Sequence, residues 1–549
     1  MPAFAEGDGS VGSKDVSVRK KEINSSWDMM ANNNTMPSIA EFFADKSIFV
    51  TGATGFIGKV LVEKLLRSCP AVKEIFLLVR PKAGQAAKSR IEDITSCKMF
   101  DKLKNEQPDS LKKLVVVEGD IQEPNLGISE EDTARLHNEV SVVYHSAATV
   151  KFDEKLSLAL KLNVGSVQKM VALCHGMKKL EVLVHVSTAY ANCDRKHIEE
   201  VVYPPPMDPY KLMNTTEWMS EEMITSITTK IIGNRPNTYT FTKALAEYVL
   251  MQEGEGLPFC IVRPSIVGAA WKEPLPGWID NFNGPSGLFI ATGIGMLRSM
   301  LGNIDGLADI SPVDYVCNLL IAASWHTGVH RPASPPIYNC VTSTTNPSRW
   351  NVVEDIAEYY TKTPLEMTVR RPSAFFTQNP FIYNYAQTVG AKIPSYFIDM
   401  LLQLKGKKPR MVKMCNRIYK SVDTLKYFTF NHWEWSNHNL EALQAVMSEE
   451  DKKVFYTDVR PLDWQSYIEA YCVGTKQYVL KEDLNSIHIA RRHIRMLRNL
   501  RWMFNTVLLV VFWRVLIARS QIARNLWSRS DDSSSRSSLR MLPRWTNTL

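Results

Sequence analysis

The sequence predicts an α/β fold: a doubly wound parallel sheet, a smaller and mainly helical C-terminal domain, and a membrane-associated helix near the C-terminus. An apolar, strand-like run at residues 47–50 passes through a glycine-rich turn into residues 56–66, whose apolar side chains recur at helical spacing. Further short apolar runs with polar ends alternate with longer segments, as βαβ units do. A strongly apolar stretch at residues 502–518 predicts the last helix.

Composition narrows the class of protein. The 549 residues, 45% of them hydrophobic, are enough for two or three domains with a large core, which excludes a disordered protein. The nine cysteines form no Cys-x-x-Cys pair, so we predict a reducing compartment and no metal site. The net charge of +8 comes largely from arginines between residues 491 and 529, and no nucleic-acid-binding motif accompanies them.

The apolar stretch at residues 502–518 is interrupted by Asn505 and Arg514, and its length is marginal for a full span. Arginines on both sides and tryptophans at its edges favour contact with membrane lipid over a buried helix. Because both flanks are basic, the positive-inside rule assigns no orientation. A single span, a hairpin and an in-plane helix all remain open.

The turn IFVTGATGFIGK at residues 48–59 predicts a dinucleotide site of Rossmann type. In a strand–turn–helix unit, Gly52 permits the tight turn, Gly55 lets the backbone approach a pyrophosphate, and Gly58 lets the helix pack on the strand. The helix N-terminus then presents free N–H groups to the phosphates. The alternative is a purely structural turn.

The cation at Arg80 bears on cofactor choice. It follows the apolar run at residues 74–79 and precedes Pro81 and Lys82, where an NAD-selective site usually has an acid for the ribose 2′-hydroxyl. A cation suits a 2′-phosphate instead, so the sequence favours NADPH. Solvated loop charges are the alternative.

Three more apolar runs, at residues 114–120, 140–149 and 182–188, end in small or polar residues. Ligands of open parallel sheets bind beyond the carboxyl ends of the strands, so we expect the residues at these ends to line one crevice. The residues concerned are Asp120, Ala147, Ala148 and Thr188.

Tyr239 and Lys243 form a candidate catalytic pair. Four residues apart in a helical segment, their side chains project from one face. A phenol is a poor acid at neutral pH, and a neighbouring ammonium favours its anionic form and so eases proton donation. We therefore predict a proton donor at Tyr239.

These motifs resemble the extended short-chain dehydrogenase/reductase superfamily, and within it the animal alcohol-forming fatty acyl-CoA reductases. The resemblance covers nearly all of the chain after residue 38. The segments that carry the narrower likeness are HVSTAYANC at 185–193, VVYPPP at 201–206, RPSIVG at 263–268, PGWIDNFNGPSGL at 276–288, YNC at 338–340 and CVGTK at 472–476.

The resemblance implies a role for each candidate residue. Arg80 would contact the 2′-phosphate of NADPH and Asp120 would lie near adenine. The pyrophosphate would lie on the turn formed by Gly52, Thr54, Gly55, Phe56, Ile57 and Gly58. Around the nicotinamide and its ribose we expect Ala147, Ala148, Pro264, Ser265 and Lys243.

The same resemblance makes Tyr239 the proton donor, Lys243 its partner, and Thr188 the hydroxyl that holds the substrate oxygen. Ser187 is a rival for this last role, because adjacent residues of a strand point to opposite faces and only one can serve.

The reaction implied is the NADPH-dependent reduction of long-chain fatty acyl-CoA to a primary alcohol with release of CoA, by two hydride transfers through a bound aldehyde. No cysteine nucleophile is needed. The alternatives are an aldehyde-forming reductase, a dehydrogenase of a secondary alcohol on a sugar nucleotide or sterol, and a membrane-tethered cofactor-binding scaffold without turnover. Release of CoA distinguishes an acyl-CoA reductase, including the aldehyde-forming one, from the secondary-alcohol dehydrogenase.

With this resemblance the chain divides into a flexible tail at 1–40, an NADP-binding domain with substrate insertions at 41–345, a male-sterility-type domain at 355–478, a membrane segment at 490–528 and a second tail at 529–549. The resemblance also implies a cytosol-facing enzyme on the peroxisomal or endoplasmic-reticulum membrane. The oligomeric state stays open.

The region from residue 355 to 458 is rich in aromatic and aliphatic residues followed by a basic run at 405–410. Two interpretations are open: a hydrophobic tunnel for the acyl chain, or an ordinary aromatic core between helices. The residues concerned are Phe375, Phe376, Phe381, Ile382, Tyr383, Tyr385, Tyr396, Phe397, Met400, Leu401 and Leu402.

Overall fold

A computed structural model of the chain describes residues 36–80, 85 and 87–519. Most of the predicted N-terminal tail, the tail at 529–549, the last part of the membrane segment and Lys82 lie outside the described residues.

Seven parallel strands form the central sheet, which confirms the predicted fold class. Their order across the sheet is β7-β6-β5-β4-β1-β2-β3, so successive connections run outward in opposite directions from β1 and β4. The strands are β1 Ser47–Thr51, β2 Glu74–Val79, β3 Leu114–Glu118, β4 Val140–His145, β5 Val182–Val186, β6 Phe259–Pro264 and β7 Ile337–Cys340. The connections reverse direction between the neighbouring strands β1 and β4. The carboxyl ends of these two strands therefore form the topological switch point, where ligands bind in folds of this kind.

The strands are short apolar runs because both faces of the sheet are covered. Alternate residues of β1 and β4 belong to different cores: Ile48, Val50 and Tyr144 to one, Phe49 and Val143 to the other. Helices Phe56–Ser68 and Val313–His330 pack on the first face. Helices Gly165–His175 and Thr238–Glu253 pack on the second.

A third hydrophobic core joins helices from both sides of residue 345. Helix Pro285–Gly293 packs there against Val352–Lys362, Met411–Phe430 and Trp464–Gly474. Two short ladders tie the two regions together: Ser299–Leu301 pairs with Phe375–Thr377, and His197–Ile198 pairs with Glu434–Trp435. A third ladder, between Ile266–Gly268 and Ile310–Pro312, lies within the first region. The C-terminal region is mainly helical, as predicted.

The remaining helices connect or cover these layers. They are Ile39–Phe42, Ala87–Thr95, Asp101–Glu106, Glu130–Glu139, Leu156–Asn163, Pro209–Trp218, Glu221–Ile232, Pro380–Gln387, Ile393–Leu404, His438–Val446, Glu449–Val454 and Ile487–Arg519.

Helix Ile487–Arg519 confirms the predicted apolar C-terminal helix. Residues 484–517 include a window of mean hydropathy 1.6 in which no residue is buried, so the segment is long and apolar enough to cross a membrane by length and composition. The predicted apolar part, residues 502–518, is about 25 Å long at the α-helical rise, somewhat less than the ~30 Å of a bilayer core.

The aromatic region before the basic run at residues 405–410 was interpreted as a tunnel or as a core between helices, and the structure agrees with neither. Most of its large side chains are exposed on helices Pro380–Gln387 and Ile393–Leu404, so they form neither a tunnel nor a core. Tyr383 is buried, and Phe376 and Leu402 pack partly against the third core. The polar side chains between the aromatic residues explain the difference: Ser395 and Asp399 turn inward and are buried.

Candidate active site

A cleft of about 810 Å³ lies at the carboxyl ends of the strands and extends toward the C-terminal region. Every residue that the sequence analysis singled out as catalytic or cofactor-binding lines it. These are Gly52, Thr54, Gly55, Phe56, Ile57, Gly58, Arg80, Asp120, Ala147, Ala148, Ser187, Thr188, Tyr239, Lys243, Pro264 and Ser265.

The glycine turn is tight for steric reasons. Gly52 has φ +74°, and a Cβ there would lie 2.9 Å from the Ala147 nitrogen. A Cβ on Gly58 would lie 2.2 Å from the carbonyl oxygen of Gly52, so the helix can start this close to the turn only without a side chain. The Thr51 hydroxyl accepts the Ala147 N–H at 3.2 Å, which fixes the loop after β4 against the turn.

The helix that begins at Phe56 points its N-terminus into the cleft. Gly55 is its N-cap residue and supplies no side-chain cap. The N–H groups of the first turn, which have no partner within a helix, therefore face a cavity lined by Gly55, Phe56, Ile57 and Gly58. This geometry, together with the helix dipole, is suited to a phosphate.

Arg80 and Asp120 lie together at the end of the cleft beside β2 and β3. Their closest side-chain atoms, Arg80 Nη1 and Asp120 Oδ2, are 3.5 Å apart, and the Arg80 side chain is 61% exposed. The other Asp120 oxygen accepts the N–H of Gln122 at 3.0 Å. An exposed guanidinium at this position is free to reorient toward an anionic ligand.

Tyr239 and Lys243 lie on helix Thr238–Glu253, which begins where the Asn237 side chain accepts the N–H of Thr240. The Tyr239 ring stacks on Phe152, with centroids 5.9 Å apart. The Lys243 Nζ atom donates to the carbonyl oxygen of Val186, the last residue of β5, at 2.7 Å. The helix thus holds both side chains against the end of β5.

The pKa of Tyr239 is raised, whereas the sequence led us to expect that the Lys243 ammonium would lower it. Burial raises the pKa of Tyr239 to about 12, and the hydrogen bond with the Thr188 hydroxyl opposes this rise. Burial also lowers the pKa of Lys243 to about 8, against the opposing charge of Glu247. At neutral pH the phenol therefore carries its proton and the lysine is largely charged.

Ser187 and Thr188 have different surroundings although both touch the cleft. The Ser187 hydroxyl donates to Glu247 Oε1 at 2.5 Å, and Glu247 also forms a two-bond ion pair with Arg263 at 2.9 and 2.8 Å. Both charged side chains of this pair are fully buried. The Thr188 hydroxyl interacts with Tyr239, makes a long contact of 3.4 Å to the Pro264 oxygen and accepts the Tyr190 N–H. The geometry therefore favours Thr188 as the hydroxyl available to a substrate.

The sequence analysis missed several residues that shape the site. Asn163 is buried and joins the Thr149 backbone to the Thr242 hydroxyl on the helix that carries Tyr239. Glu247 and Arg263 form the ion pair behind Ser187. Glu247 lies four residues after Lys243, so the helical spacing placed both on one face, but nothing in the sequence pairs it with an arginine on β6.

An apolar wall also escaped sequence analysis. It is contributed by segments far from the sheet motifs: Leu288, Trp350, Leu425 and Phe428. Leu425 and Phe428 come from helix Met411–Phe430, so the C-terminal region helps to enclose the cleft.

The Cys193 side chain does not line the cleft. Burial raises the pKa of the Cys193 thiol to about 12, and its side chain packs in a small aromatic cluster. Within residues 36–80, 85 and 87–519, no group of three or more His, Cys, Asp or Glu side chains could hold a metal ion.

Comparison with known proteins agrees with this geometry. Residues 50–320 match an NAD-binding family model described as male sterility protein, and residues 391–482 match a second model with the same description. Over 493 residues the chain is 52% identical to fatty acyl-CoA reductase 1 of Xenopus laevis and 50% identical to that of Homo sapiens, covering 90% of this chain and 96% of each relative. The chain belongs to the fatty acyl-CoA reductase family.

Another member of the family, fatty acyl-CoA reductase 2 of Mus musculus, is 48% identical over the same length. Solved structures share the fold at much lower identity. The reductase domain of a non-ribosomal peptide synthetase from Mycobacterium tuberculosis aligns with TM-score 0.52 at 18% identity, covering 81% of this chain and 94% of that one. The terminal R domain of the myxalamid PKS-NRPS pathway aligns with TM-score 0.50 at 20% identity, over 80% and 93%.

Proposed function

We propose that this member of the fatty acyl-CoA reductase family reduces long-chain fatty acyl-CoA to a primary alcohol with NADPH, releasing CoA, in two successive reductions through a bound aldehyde. The observation that carries the proposal is one cleft that contains the glycine turn, the Tyr239–Thr188 pair and an apolar wall. Membership of the family supplies the substrate class.

The residues of the cleft fit the dinucleotide. The absence of side chains at Gly52 and Gly58 lets the turn pack closely on neighbouring backbone, and the helix starting at Phe56 directs its N–H groups into the cleft. Arg80 would neutralise a 2′-phosphate, which favours NADPH over NADH. When bound, this cofactor supplies the hydride.

Cofactor choice can be tested at Arg80. Loss of a charge-assisted hydrogen bond costs about 1.5–3 kcal/mol, so Arg80→Ala should weaken NADPH binding at least about tenfold and leave NADH binding nearly unchanged. Titration of each cofactor by fluorescence measures both. Equal weakening for the two cofactors would contradict the assignment of Arg80 to the 2′-phosphate.

Tyr239 and Thr188 act on the substrate oxygen. The hydroxyls at the end of β5 and on the facing helix would donate hydrogen bonds to the thioester carbonyl and stabilise the oxyanion as it forms. Collapse of that adduct breaks the carbon–sulfur bond and releases CoA thiolate, leaving the aldehyde. In the second reduction the Tyr239 Oη proton passes to the aldehyde oxygen, giving the alcohol.

Lys243 and the apolar wall have supporting roles. The ammonium, anchored on the Val186 oxygen, would orient the cofactor ribose and supply positive charge near Tyr239 as the phenol loses its proton. Leu288, Trp350, Leu425 and Phe428 would hold the acyl chain and exclude water, so that the aldehyde remains bound between the two reductions.

The proposal also includes a cellular setting, for which the C-terminal helix supplies the membrane attachment. Helix Ile487–Arg519 would attach the enzyme to a membrane with the cleft on the cytosolic side, where NADPH and acyl-CoA are present. The peroxisomal and endoplasmic-reticulum membranes are the two candidates.

The decisive experiment incubates the detergent-solubilised chain with palmitoyl-CoA and NADPH and measures cofactor oxidation, free thiol and lipid products together. Two NADPH oxidised per CoA released, with fatty alcohol formed, is the expected result. One NADPH per CoA with free aldehyde would show an aldehyde-forming reductase. Active protein that releases no thiol with acyl-CoA of any chain length would overturn the proposal.

Two tyrosine-to-phenylalanine variants on helix Thr238–Glu253 test whether Tyr239 is the proton donor. Tyr239→Phe should lower kcat by about 10²–10⁴-fold, the usual contribution of a general acid. Tyr248 lies on the same helix outside the cleft lining, so Tyr248→Phe should leave kcat unchanged.

A further inference from the structure

A second apolar surface lies apart from the C-terminal helix. Helices Pro380–Gln387 and Ile393–Leu404 follow each other closely, and together with the turn at Thr388–Lys392 that joins them they expose ten large apolar side chains. We call this the 380–404 surface. Its members are Phe381, Ile382, Tyr385, Val389, Ile393, Tyr396, Phe397, Met400, Leu401 and Leu404.

The fold holds these side chains outward. Ile393, Phe397, Met400 and Leu404 recur at helical spacing on one face. On the opposite face the Asp399 carboxylate accepts the N–H groups of Arg410, Met411 and Val412 at 2.8–2.9 Å, which caps the helix that begins at Met411. Rotating the apolar face inward would break these three bonds, so the apolar exposure is a property of the native packing.

Cations border this surface on two sides. The exposed run at residues 405–410 contains Lys405, Lys407, Lys408 and Arg410. On the other side, Arg370 donates to the Gly390 oxygen between the two helices, and the aliphatic part of Arg298 packs against Gly390.

Those arginines continue to the C-terminal helix. Arg298, Arg371 and Arg501 line one crevice of about 520 Å³, together with Glu354 and Glu358. Glu358 pairs with Lys362 at 2.6 Å, and among the described residues no carboxylate lies within 4.0 Å of the charged nitrogens of Arg298, Arg370, Arg371 or Arg501. Burial and repulsion from Arg370 and Arg501 lower the pKa of Arg298 to about 10.

Arg501 directly precedes the apolar stretch that starts at Trp502. The first turns of that helix are fixed to the same part of the fold, since His493 hydrogen-bonds the Thr368 oxygen at 2.9 Å and Arg491 donates to the Lys362 oxygen at 3.0 Å. The arginine cluster therefore lies between two exposed apolar elements.

We propose that the 380–404 surface lies in the interfacial layer of the same bilayer that takes up the C-terminal helix, and that Arg298, Arg370, Arg371 and Arg501 bind anionic lipid headgroups. Apolar and aromatic side chains flanked by cations are the composition of helices that lie in a membrane plane. Unpaired arginines next to such a face are electrostatically complementary to an anionic leaflet. The enzyme would thus rest on the membrane through its body as well as through its helix.

Photocrosslinking in vesicles tests the contact without using enzyme activity. The full chain carrying p-benzoylphenylalanine in place of Phe397 is reconstituted into vesicles of phosphatidylcholine and labelled phosphatidylserine and then irradiated. A matched chain carries the label in place of Trp218, an exposed aromatic residue on helix Pro209–Trp218, which packs against helix Leu156–Asn163. Labelled lipid should attach at position 397 and not at 218.

The arginines are tested on the same labelled chain. Arg370→Gln with Arg371→Gln should lower the phosphatidylserine adduct at position 397 about fivefold per removed charge, and Lys178→Gln with Lys179→Gln should not change it. Equal lipid labelling at 397 and 218, or an adduct at 397 with a second copy of the chain, would overturn the proposal. Matching thermal unfolding curves establish that each variant is folded.

Discussion

Ser187 and Thr188 are adjacent residues whose surroundings assign them different tasks. Ser187 donates to the buried Glu247, which is already paired with Arg263. Thr188 makes a long contact to the Pro264 oxygen, accepts the Tyr190 N–H and interacts with Tyr239. Both residues line the cleft, but a buried ion pair engages only the Ser187 hydroxyl, which favours Thr188 as the hydroxyl that reaches a substrate.

Alanine at each position should separate these tasks. Thr188→Ala removes one donor from the developing oxyanion and should lower kcat by about 10²-fold with little change in stability. Ser187→Ala leaves a buried carboxylate oxygen with one partner fewer and should cost about 1–3 kcal/mol of stability with kcat nearly intact. Steady-state kinetics and thermal unfolding measure both quantities. The reverse pattern would transfer the catalytic role to Ser187.

The buried Lys243 predicts a pH dependence. Burial lowers its pKa to about 8, so the ammonium is charged below that pH and neutral above it. Because kcat/KM reports ionisations of the free enzyme, it should fall as the pH rises through about 8. Lys243→Met should lower the rate and abolish this decline.

Glu200 supplies the control for that profile, because burial raises its pKa to about 8 as well. Glu200→Gln should leave the decline in place, since this side chain does not line the cleft. If the decline disappears in Glu200→Gln and persists in Lys243→Met, the ionisation belongs to Glu200 and our assignment to Lys243 is wrong.

At the scale of the element, the first strand–turn–helix unit depends on the absence of two side chains. Gly52 needs a positive φ and a close approach to Ala147, and Gly58 meets the Gly52 oxygen. The predicted tight turn at Gly52 agrees with its positive φ. Gly58 was expected to let the helix pack on the strand, and in the structure it lets the helix pack on the turn.

Gly58→Ala should therefore separate the helix from the turn. Its Cβ would lie 2.2 Å from a backbone oxygen, which cannot move as a side chain can, so we expect a loss of about 1–3 kcal/mol of stability and much weaker NADPH binding. Gly165→Ala is the matched control, since its Cβ would meet its nearest neighbour at 3.6 Å and should be neutral or slightly stabilising. Unimpaired NADPH binding by Gly58→Ala would contradict the assigned phosphate site.

At the scale of the whole molecule, the apolar part of the C-terminal helix lies apart from the central fold. The apolar window of the helix buries no residue against the rest of the protein, whereas the cleft draws on the sheet, its insertions and helix Met411–Phe430. Changes on the apolar helix should thus alter membrane attachment and not the site.

Leu509→Arg combined with Val511→Arg tests this separation. Each arginine costs about 2.5–3.5 kcal/mol at the centre of a spanning helix, so the membrane-bound fraction in sedimentation should fall. NADPH binding and the thermal unfolding midpoint should stay unchanged. Leu509→Met with Val511→Ile keeps the helix apolar and should remain bound; loss of cofactor binding in the arginine variant would show that the helix supports the cleft.

The sequence by itself determined the sheet, the glycine turn and the Tyr239–Lys243 pair, because these depend on local spacing: apolar runs, a strand–turn–helix unit, and two residues four apart on a helix. It also indicated the apolar C-terminal helix. All the predicted site residues meet in one cleft because the carboxyl ends of parallel strands share an edge.

Only the tertiary structure decided which of the two hydroxyls a buried carboxylate engages, where the lysine ammonium is anchored, and that most aromatic residues of helices Pro380–Gln387 and Ile393–Leu404 face outward. Each of these depends on a partner distant in sequence: Arg263 for Glu247, the end of β5 for Lys243, and the start of helix Met411–Phe430 for Asp399. Local patterns specify which residues share a face, but long-range packing determines what that face meets.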